Sequence, residues 1–266
     1  MNKYKKIVSI AATAVMCVAP MSVYAQEAQT DVIEAVAEKK QDTESSSVPV
    51  LQKEGIEISE GTGYDLSKEP GAATVKALEQ GTIVISYKTT SENAIQSLLS
   101  VGNGTKGNQD RHFHLYITNA GGVGMELRNT DGEFKYTLDC PAAVRGSYKG
   151  ERVSNTVALK ADKENKQYKL FANGELIATL DQEAFKFISD ITGVDNVMLG
   201  GTMRQGTVAY PFGGSIERMQ VYRDVLSDDE LIAVTGKTIY AENIFYAGDA
   251  TKSNYFRIPS LLALDS

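Results

Sequence analysis

The sequence predicts an all-β fold, an antiparallel β-sandwich with one or two short helices. Short apolar or alternating runs of residues recur at roughly 8 to 12 residue spacing from Val50 onward, as in sandwiches and barrels. Turn signals rich in Gly, Asn and Asp separate these runs. Helical periodicity is almost absent until the acidic stretch 227–234. A chain of 266 residues can hold one such domain with extensions at its ends.

The first 25 residues have the order of a secretory signal peptide. Lys3, Lys5 and Lys6 precede an apolar run over 7–19, and the small-residue pattern of 23–25 follows. We therefore expect a signal peptide over residues 1–25 and a secreted, extracellular protein. The apolar run is shorter than the roughly 20 residues that a membrane span needs, so no span is predicted.

The net charge and the cysteine content argue against a nucleic-acid-binding protein and against a disulfide-stabilised fold. Removing residues 1–25 leaves 24 basic against 34 acidic residues, and the net charge goes from −7 to −10. An acidic chain of this kind is a poor nucleic-acid binder. We expect Cys17 to leave with the signal peptide. The alternative, a lipoprotein cysteine, is disfavoured because Met16 before it is not the small residue that such a site prefers. Cys140 then has no partner for an intramolecular disulfide, and the fold depends on its apolar core.

Residues 26–49 are predicted to connect the signal peptide to the folded domain. The stretch 30–40 suits a short amphipathic helix, which is marginal in isolation. The stretch 41–49 is polar, rich in Ser and closed by a proline, which is typical of a linker. We expect the folded domain to begin near Val50.

Within that domain, β-branched runs and alternation between apolar and polar residues define the strands. Asp131-Gly132 and Asn173-Gly174 are two-residue hairpin signals that join neighbouring strands. The predicted strands cover residues 81–87, 97–101, 111–118, 123–127, 134–138, 157–160, 168–171, 176–180, 197–199 and 216–222.

One face of the predicted strands carries polar and charged side chains that could form a binding site. Tyr116, Glu126 and Arg128 point away from the apolar faces of their strands, and Arg204 and Tyr210 lie on the polar stretch between strands 197–199 and 216–222. The turn after strand 111–118 admits more than one register, and one register places Tyr116 opposite Glu126. The alternative, which spacing alone favours, is a solvated outer face.

Such a residue set suits an anionic sugar. Arginine matches a carboxylate bidentately, glutamate accepts hydrogen bonds from hydroxyl or amide groups, and tyrosine offers a flat apolar face with a polar tip. The set lacks an acid and base flanking a bond, and it lacks an activated nucleophile, so it fits no hydrolytic mechanism.

Metal and cofactor chemistry is poorly supported. His112 and His114 lie two apart on a strand without a nearby cysteine, so we predict surface or polar-face residues and not metal ligands. The stretch 227–230 contains three acidic residues, which a helix with Ser227 as its N-cap explains more simply than calcium. We expect no metal and no cofactor, with a structural calcium ion left open.

The chain also resembles a known family. The segment 213–223, GGSIERMQVYR, and the segment 226–231, LSDDEL, are similar to laminin-G and concanavalin-like lectin sandwiches of the jelly-roll type. More closely, residues 50–236 resemble the sialic-acid-binding module, carbohydrate-binding module family 40, which precedes the catalytic domain of bacterial sialidases. The resemblance implies a lectin domain that binds sialylated glycans and mucins, and we expect a monomer.

The segment 255–262, YFRIPSLL, is similar to the motif that opens the sialidase propeller. The resemblance makes Arg257 the first of three arginines that grip the sialic-acid carboxylate, and it makes 237–266 a linker and the first strand of a truncated catalytic domain. The alternative is a chance Arg-Ile-Pro. The other catalytic motifs are missing before Ser266, so we expect this chain alone to be inactive. The parent would be an exo-α-sialidase or an intramolecular trans-sialidase.

Within the module, the resemblance implies that Arg128 and Arg204 hold the carboxylate of the sugar. Glu126 would accept a hydrogen bond from the amide or a hydroxyl group, and Tyr210 would pack on the ring or the glycerol arm.

The resemblance also implies that Ile95 and Tyr116 line a pocket for the N-acetyl group. For Ile95, an ordinary core position is an equal alternative. A further alternative for the whole module is a laminin-G-like adhesion domain without a sugar site.

Overall fold

The structure is a computed structural model that describes residues 48–105, 107, 110–130, 134–144 and 153–236. Several sequence predictions lie outside the described residues. They are the signal peptide 1–25, the helix 30–40, the linker over 41–47, the Asp131-Gly132 turn and the segment 237–266 with Arg257.

The described strands form two six-stranded antiparallel sheets and one two-stranded hairpin. The strands in chain order are β1 (Leu51–Ile58), β2 (Tyr64–Asp65), β3 (Gly81–Thr89), β4 (Ile95–Gly102), β5 (Arg111–Thr118), β6 (Val123–Asn129), β7 (Phe134–Cys140), β8 (Ser154–Asp162), β9 (Gln167–Ala172), β10 (Glu175–Asp181), β11 (Asn196–Leu199), β12 (Thr202–Arg204), β13 (Thr207–Ala209) and β14 (Gly214–Tyr222). The first sheet has the order β1-β14-β3-β8-β9-β10, and the second has the order β2-β11-β4-β5-β6-β7. The predicted antiparallel sandwich is confirmed.

The core lies between the two sheets. Alternate residues of each strand face inward, so that Ile83 and Ile85 of the first sheet meet Phe113 and Leu115 of the second, all fully buried. Each such side chain contributes roughly 1.5 to 3 kcal/mol when it leaves water. Because the inner faces are apolar, the polar residues of β5 and β6 are forced onto the outer face of the second sheet.

The described residues contain two α-helices, α1 (Ala72–Lys76) and α2 (Asp228–Thr235), and a 3₁₀ turn over Ile188–Asp190. The predicted N-cap of α2 is confirmed, since the Ser227 hydroxyl accepts from the Glu230 backbone N–H at 3.2 Å and the Glu230 carboxylate accepts from the Ser227 N–H at 2.7 Å. None of the described helices is long and apolar enough to cross a membrane.

The polar stretch between β11 and β14 is more ordered than the sequence suggests. It contains the hairpin β12–β13, which folds over the outer face of the second sheet. The Ser100 hydroxyl donates to the Gly201 carbonyl at 2.8 Å, and the Thr202 hydroxyl donates to the Ser97 hydroxyl at 3.0 Å. These buried bonds attach the hairpin to β4, and Arg204 is therefore a strand residue.

Two turns set the register of neighbouring strands. Asn173 and Gly174 both have positive φ, as the predicted tight turn between β9 and β10 requires. The turn between β5 and β6 is closed at Thr118, whose backbone N–H donates to the Gly122 carbonyl and whose hydroxyl accepts from the Gly122 N–H. This clamp places Tyr116 opposite Gly124.

The register that pairs Tyr116 with Glu126 is therefore wrong. His114 is the residue opposite Glu126, and His112 lies opposite Arg128.

Candidate functional site

The candidate site lies on the outer face of the second sheet, where β5, β6 and the hairpin β12–β13 meet. Glu126 and Arg128 project from the outer face of β6, because Met125 and Leu127, which alternate with them, face the core. Arg204 ends β12, and Tyr210 follows β13 by one residue. The structure thus brings residues of distant chain segments onto one surface.

The two arginines converge on a single carboxylate oxygen. Arg128 Nη2 lies 3.1 Å from Asp110 Oδ1, and Arg204 Nη2 lies 3.3 Å from the same atom. The guanidinium-bearing side chains are 26% and 22% exposed, so a ligand can reach both. Sequence reasoning missed Asp110, because its contacts with both arginines join segments that are far apart in the chain.

Glu126 is the second carboxylate of the site, and its side chain is 15% exposed. Its Oε1 lies 3.2 Å from His112 Nε2 and 3.5 Å from Arg128 Nη1, and its Oε2 lies 3.4 Å from Lys135 Nζ. Burial works against the charged form, but the contact with His112 and the charge of Arg128 outweigh it and lower the pKa of Glu126 to about 2. Glu126 is therefore an ionised hydrogen-bond acceptor at neutral pH.

Tyr210 supports Arg204. Arg204 Nη1 donates to the Tyr210 hydroxyl at 2.8 Å, and the guanidinium carbon lies 5.5 Å from the centre of the ring. Tyr210 has a φ of 52°, a conformation that is uncommon for a large side chain. Its carbonyl accepts from the Ser97 N–H at 2.9 Å, which holds this backbone against β4. This strained backbone conformation directs the aromatic ring of Tyr210 toward the guanidinium of Arg204.

His112 and His114 form the floor of the site. They lie on the polar face, as predicted, but only 1% of His112 and 3% of His114 is exposed, and the Thr202 hydroxyl group of β12 lies 3.3 Å from His114 Nδ1. The ring of His114 packs between Tyr116 and Tyr210, with centroids at 4.8 and 5.1 Å. Burial, together with the charges of its neighbours, lowers the pKa of His114 to about 3. The floor ring is therefore neutral at physiological pH.

His112, His114 and Glu126 are also the one group of potential metal ligands found in the part of the chain that the structure describes. One ligand atom from each lies within 4.8 Å of the others. However, Arg128 already contacts the carboxylate of this group, and Arg204 lies close enough to affect the pKa of His114. Two guanidiniums beside the cluster repel a divalent cation and attract an anion. The electrostatics favour a binding site for a carboxylate.

The opposite end of the site is apolar. Ile95 is 37% exposed, so the alternative that it belongs to the core is wrong. It lies on the same face of β4 as Ser97, which pairs with Tyr116 on β5. The hydroxyl group of Tyr116 donates to Asp139 on β7, and its ring remains beside His114. A charged end and an apolar end thus share one shallow surface.

The fold and this surface define a ligand-binding β-sandwich module. Residues 33–238 match the family of sialidase N-terminal domains, and the chain belongs to this family. The resemblance drawn from the sequence is confirmed.

Known relatives agree with this assignment. The chain is 65% identical over 251 residues to an anhydrosialidase from Macrobdella decora, a match that covers 92% of this chain and 33% of that protein. The chain therefore spans about a third of the length of this relative.

Solved structures of similar modules come from Ruminococcus gnavus. The CBM40 of its IT-sialidase bound to α2,6-sialyllactose is 99% identical, with a TM-score of 0.70, and the match covers 71% of this chain and 100% of that one. The same module bound to α2,3-sialyllactose matches with 96% identity and a TM-score of 0.68, over 71% of this chain and 100% of that one.

Proposed function

We propose that this chain carries a sialic-acid-binding module of a secreted sialidase, and that the module binds the terminal sugar of sialylated glycans and mucins as a monomer. The observation that carries the proposal is the convergence of Arg128 and Arg204 on one carboxylate oxygen, that of Asp110. Two guanidiniums within reach of one oxygen are arranged for an acid, and charge-assisted bonds of this kind are about twice as strong as neutral ones.

The rest of the surface suits the other groups of a sialic acid. The ionised Glu126 accepts from an amide or hydroxyl group, and the exposed Ile95, on the same face of the sheet as Tyr116, suits the methyl of an N-acetyl group. Tyr210 presents its ring next to Arg204, where the sugar ring or the glycerol arm would pack. The sialyllactose named with the Ruminococcus gnavus modules supports the same ligand class.

Binding at one shallow site is expected to be weak, because few polar contacts must offset ordering and desolvation. The parent enzyme gains mainly a higher local concentration of substrate. We propose that this parent is an exo-α-sialidase or an intramolecular trans-sialidase. The name of the Macrobdella decora relative, an anhydrosialidase, supports the second.

We expect neither a metal nor a cofactor in this module. Residues 50–236 form the binding module, and Arg257 belongs to the catalytic domain of the parent enzyme. We also predict that this chain by itself does not release the aglycone of a fluorogenic sialoside, since the described site has no acid and nucleophile flanking a bond.

Calorimetry tests the proposal with 3′- and 6′-sialyllactose as ligands and lactose as the neutral control. We expect heat from both sialosides and none from lactose, and a loss of binding in Arg204→Ala. Arg223→Ala is the matched control, because Arg223 is exposed and directly follows β14 of the other sheet.

Absence of heat at protein concentrations near millimolar, or equal binding by Arg204→Ala, would overturn the proposal. The outcome would then favour the adhesion domain without a sugar site.

A further inference from the structure

Three neighbouring strands place Tyr116, Gly124 and Asp139 in one row across the outer face of the second sheet. Tyr116 on β5 is paired with Gly124 on β6, and Gly124 is paired with Asp139 on β7. Residues directly opposite each other on adjacent strands share a face. The middle position of the row has no side chain, which leaves a gap between a tyrosine and an aspartate.

The ring of Tyr116 fills this gap. A Cβ atom added at Gly124 would lie 2.5 Å from Tyr116 Cζ, 2.6 Å from its hydroxyl oxygen and 2.3 Å from Asp139 Oδ1. Glycine weakens a strand interior, so its presence there indicates close approach by another group. Here the group is the tyrosine ring, which lies directly on the backbone of β6 and reaches the next strand.

The hydroxyl group of Tyr116 makes its hydrogen bond on the far side of β6, with Asp139 of β7. It donates to Asp139 Oδ1, while burial and this bond raise the pKa of the phenol and keep it protonated. Asp139 itself is exposed and belongs to none of the groups predicted to touch the sugar. The tyrosine therefore presents its ring to the site, with its hydroxyl group held by a residue outside it.

The ring of Tyr116 is connected to Arg204 through a series of aromatic contacts. Tyr116 packs on His114, and His114 packs on Tyr210, which accepts the hydrogen bond from Arg204. The aromatic chain thus leads from Asp139 to the guanidinium that holds the carboxylate. Its first member, Tyr116, lies on the same face of the second sheet as the exposed Ile95, which is paired with Thr118 two residues further along β5.

We propose that Asp139 is a positioning residue that acts through Tyr116, with Gly124 providing the space, and that this row sets the preference of the site for a sugar with an N-acetyl group at carbon 5. The inference rests on the proposed function, because the N-acetyl group is a feature of the sialic acid assigned there. Asp139 makes no contact with the sugar. Its carboxylate fixes the position of the ring by accepting the hydrogen bond from the Tyr116 hydroxyl group.

The ratio of the affinities for two sialosides measures this preference. The two ligands are 3′-sialyllactose, which has the N-acetyl group, and its analogue with a hydroxyl group at carbon 5. We expect Asp139→Ala to lower the ratio of the two affinities by about five-fold, as the loss of one hydrogen bond suggests. Tyr116→Phe should lower it by a similar factor, and the double variant should lower it no further, since both changes remove the same bond.

Asp139→Asn separates positioning from charge. Asparagine keeps an acceptor for the tyrosine hydroxyl, so the ratio should return toward that of the unaltered protein. Gly124→Ala should lower the ratio by displacing the ring. Far-UV circular dichroism and thermal unfolding would establish that each variant is folded. Tyr116→Phe removes the same hydrogen bond by the loss of a single oxygen atom.

The outcomes distinguish the two proposals. If Arg204→Ala abolishes binding while Asp139→Ala and Tyr116→Phe leave the ratio unchanged, the positioning role is wrong and the proposed function stands. An Asp139→Asn ratio equal to that of Asp139→Ala would also overturn it, because charge alone would then matter. If the unaltered chain binds neither sialoside, both proposals fail.

Discussion

Replacing Glu126 by glutamine removes the charge of one acceptor while keeping its shape, and it tests the electrostatic description of the site. The carboxylate contacts His112, Arg128 and Lys135 with only 15% of its side chain exposed. Its pKa of about 2 lies below the value of 4.5 for an unperturbed glutamate. A group whose pKa is lowered by folding stabilises the folded state above its unfolded pKa.

The size of the effect follows from that difference. Lowering the pKa from 4.5 to about 2 corresponds to about 3 kcal/mol of stability at pH 7. Glutamine keeps one acceptor for its neighbours, so we expect Glu126→Gln to lower the free energy of unfolding by about 2 to 3 kcal/mol. This contribution is fully present above pH 4.5 and is lost as the pH falls toward 2. The gap between the two proteins should therefore shrink to about half by pH 3.

Urea unfolding at pH 7 and pH 3, followed by circular dichroism, measures the gap. Glu175→Gln is the matched control, because Glu175 is exposed at the start of β10 in the other sheet and should give no comparable difference. Equal stability of Glu126→Gln and the unaltered protein at pH 7, or a gap that does not change with pH, would show that the charge of Glu126 does not stabilise the fold.

Three further predictions concern the site and the fold. Arg128→Ala and Arg204→Ala should each weaken sialyllactose binding by roughly 10- to 100-fold in calorimetry, since each removes charge-assisted hydrogen bonds; a change under three-fold would contradict the assigned role. Prolonged dialysis against EDTA should leave the affinity unchanged, and a loss that zinc or calcium restores would show that a cation belongs to the site. Ser227→Ala should lower the free energy of unfolding by about 1 kcal/mol through loss of the N-cap of α2, and no change in urea unfolding would count against that cap.

Periodicity along single strands was sufficient to predict much of the fold. The alternation of β5 and β6 correctly separates Phe113 and Leu115 in the core from His114 and Glu126 on the outer face. It could not fix the register, because a shift that preserves parity leaves every residue on its own face. The bonds between Thr118 and Gly122 decide it, and these depend on the local conformation of the turn.

The site was predictable in its residue types and less so in its construction. Arg128 and Arg204 are on the same surface as predicted, but the buried floor beneath them arises only when the hairpin β12–β13 folds over β4. The contact of Asp110 with both arginines likewise joins segments far apart in the chain. Asp139 gave no signal in the sequence, since its role depends on the absence of a side chain at Gly124.

We propose that Arg128 and Arg204 together hold the carboxylate of a sialic acid. A crystal structure of this domain soaked with 3′-sialyllactose would show whether they do. We expect the sugar carboxylate within hydrogen-bonding distance of both guanidiniums, with the N-acetyl methyl group against Ile95 and Tyr116. A sugar bound on another face, or one whose carboxylate points into solvent, would contradict it.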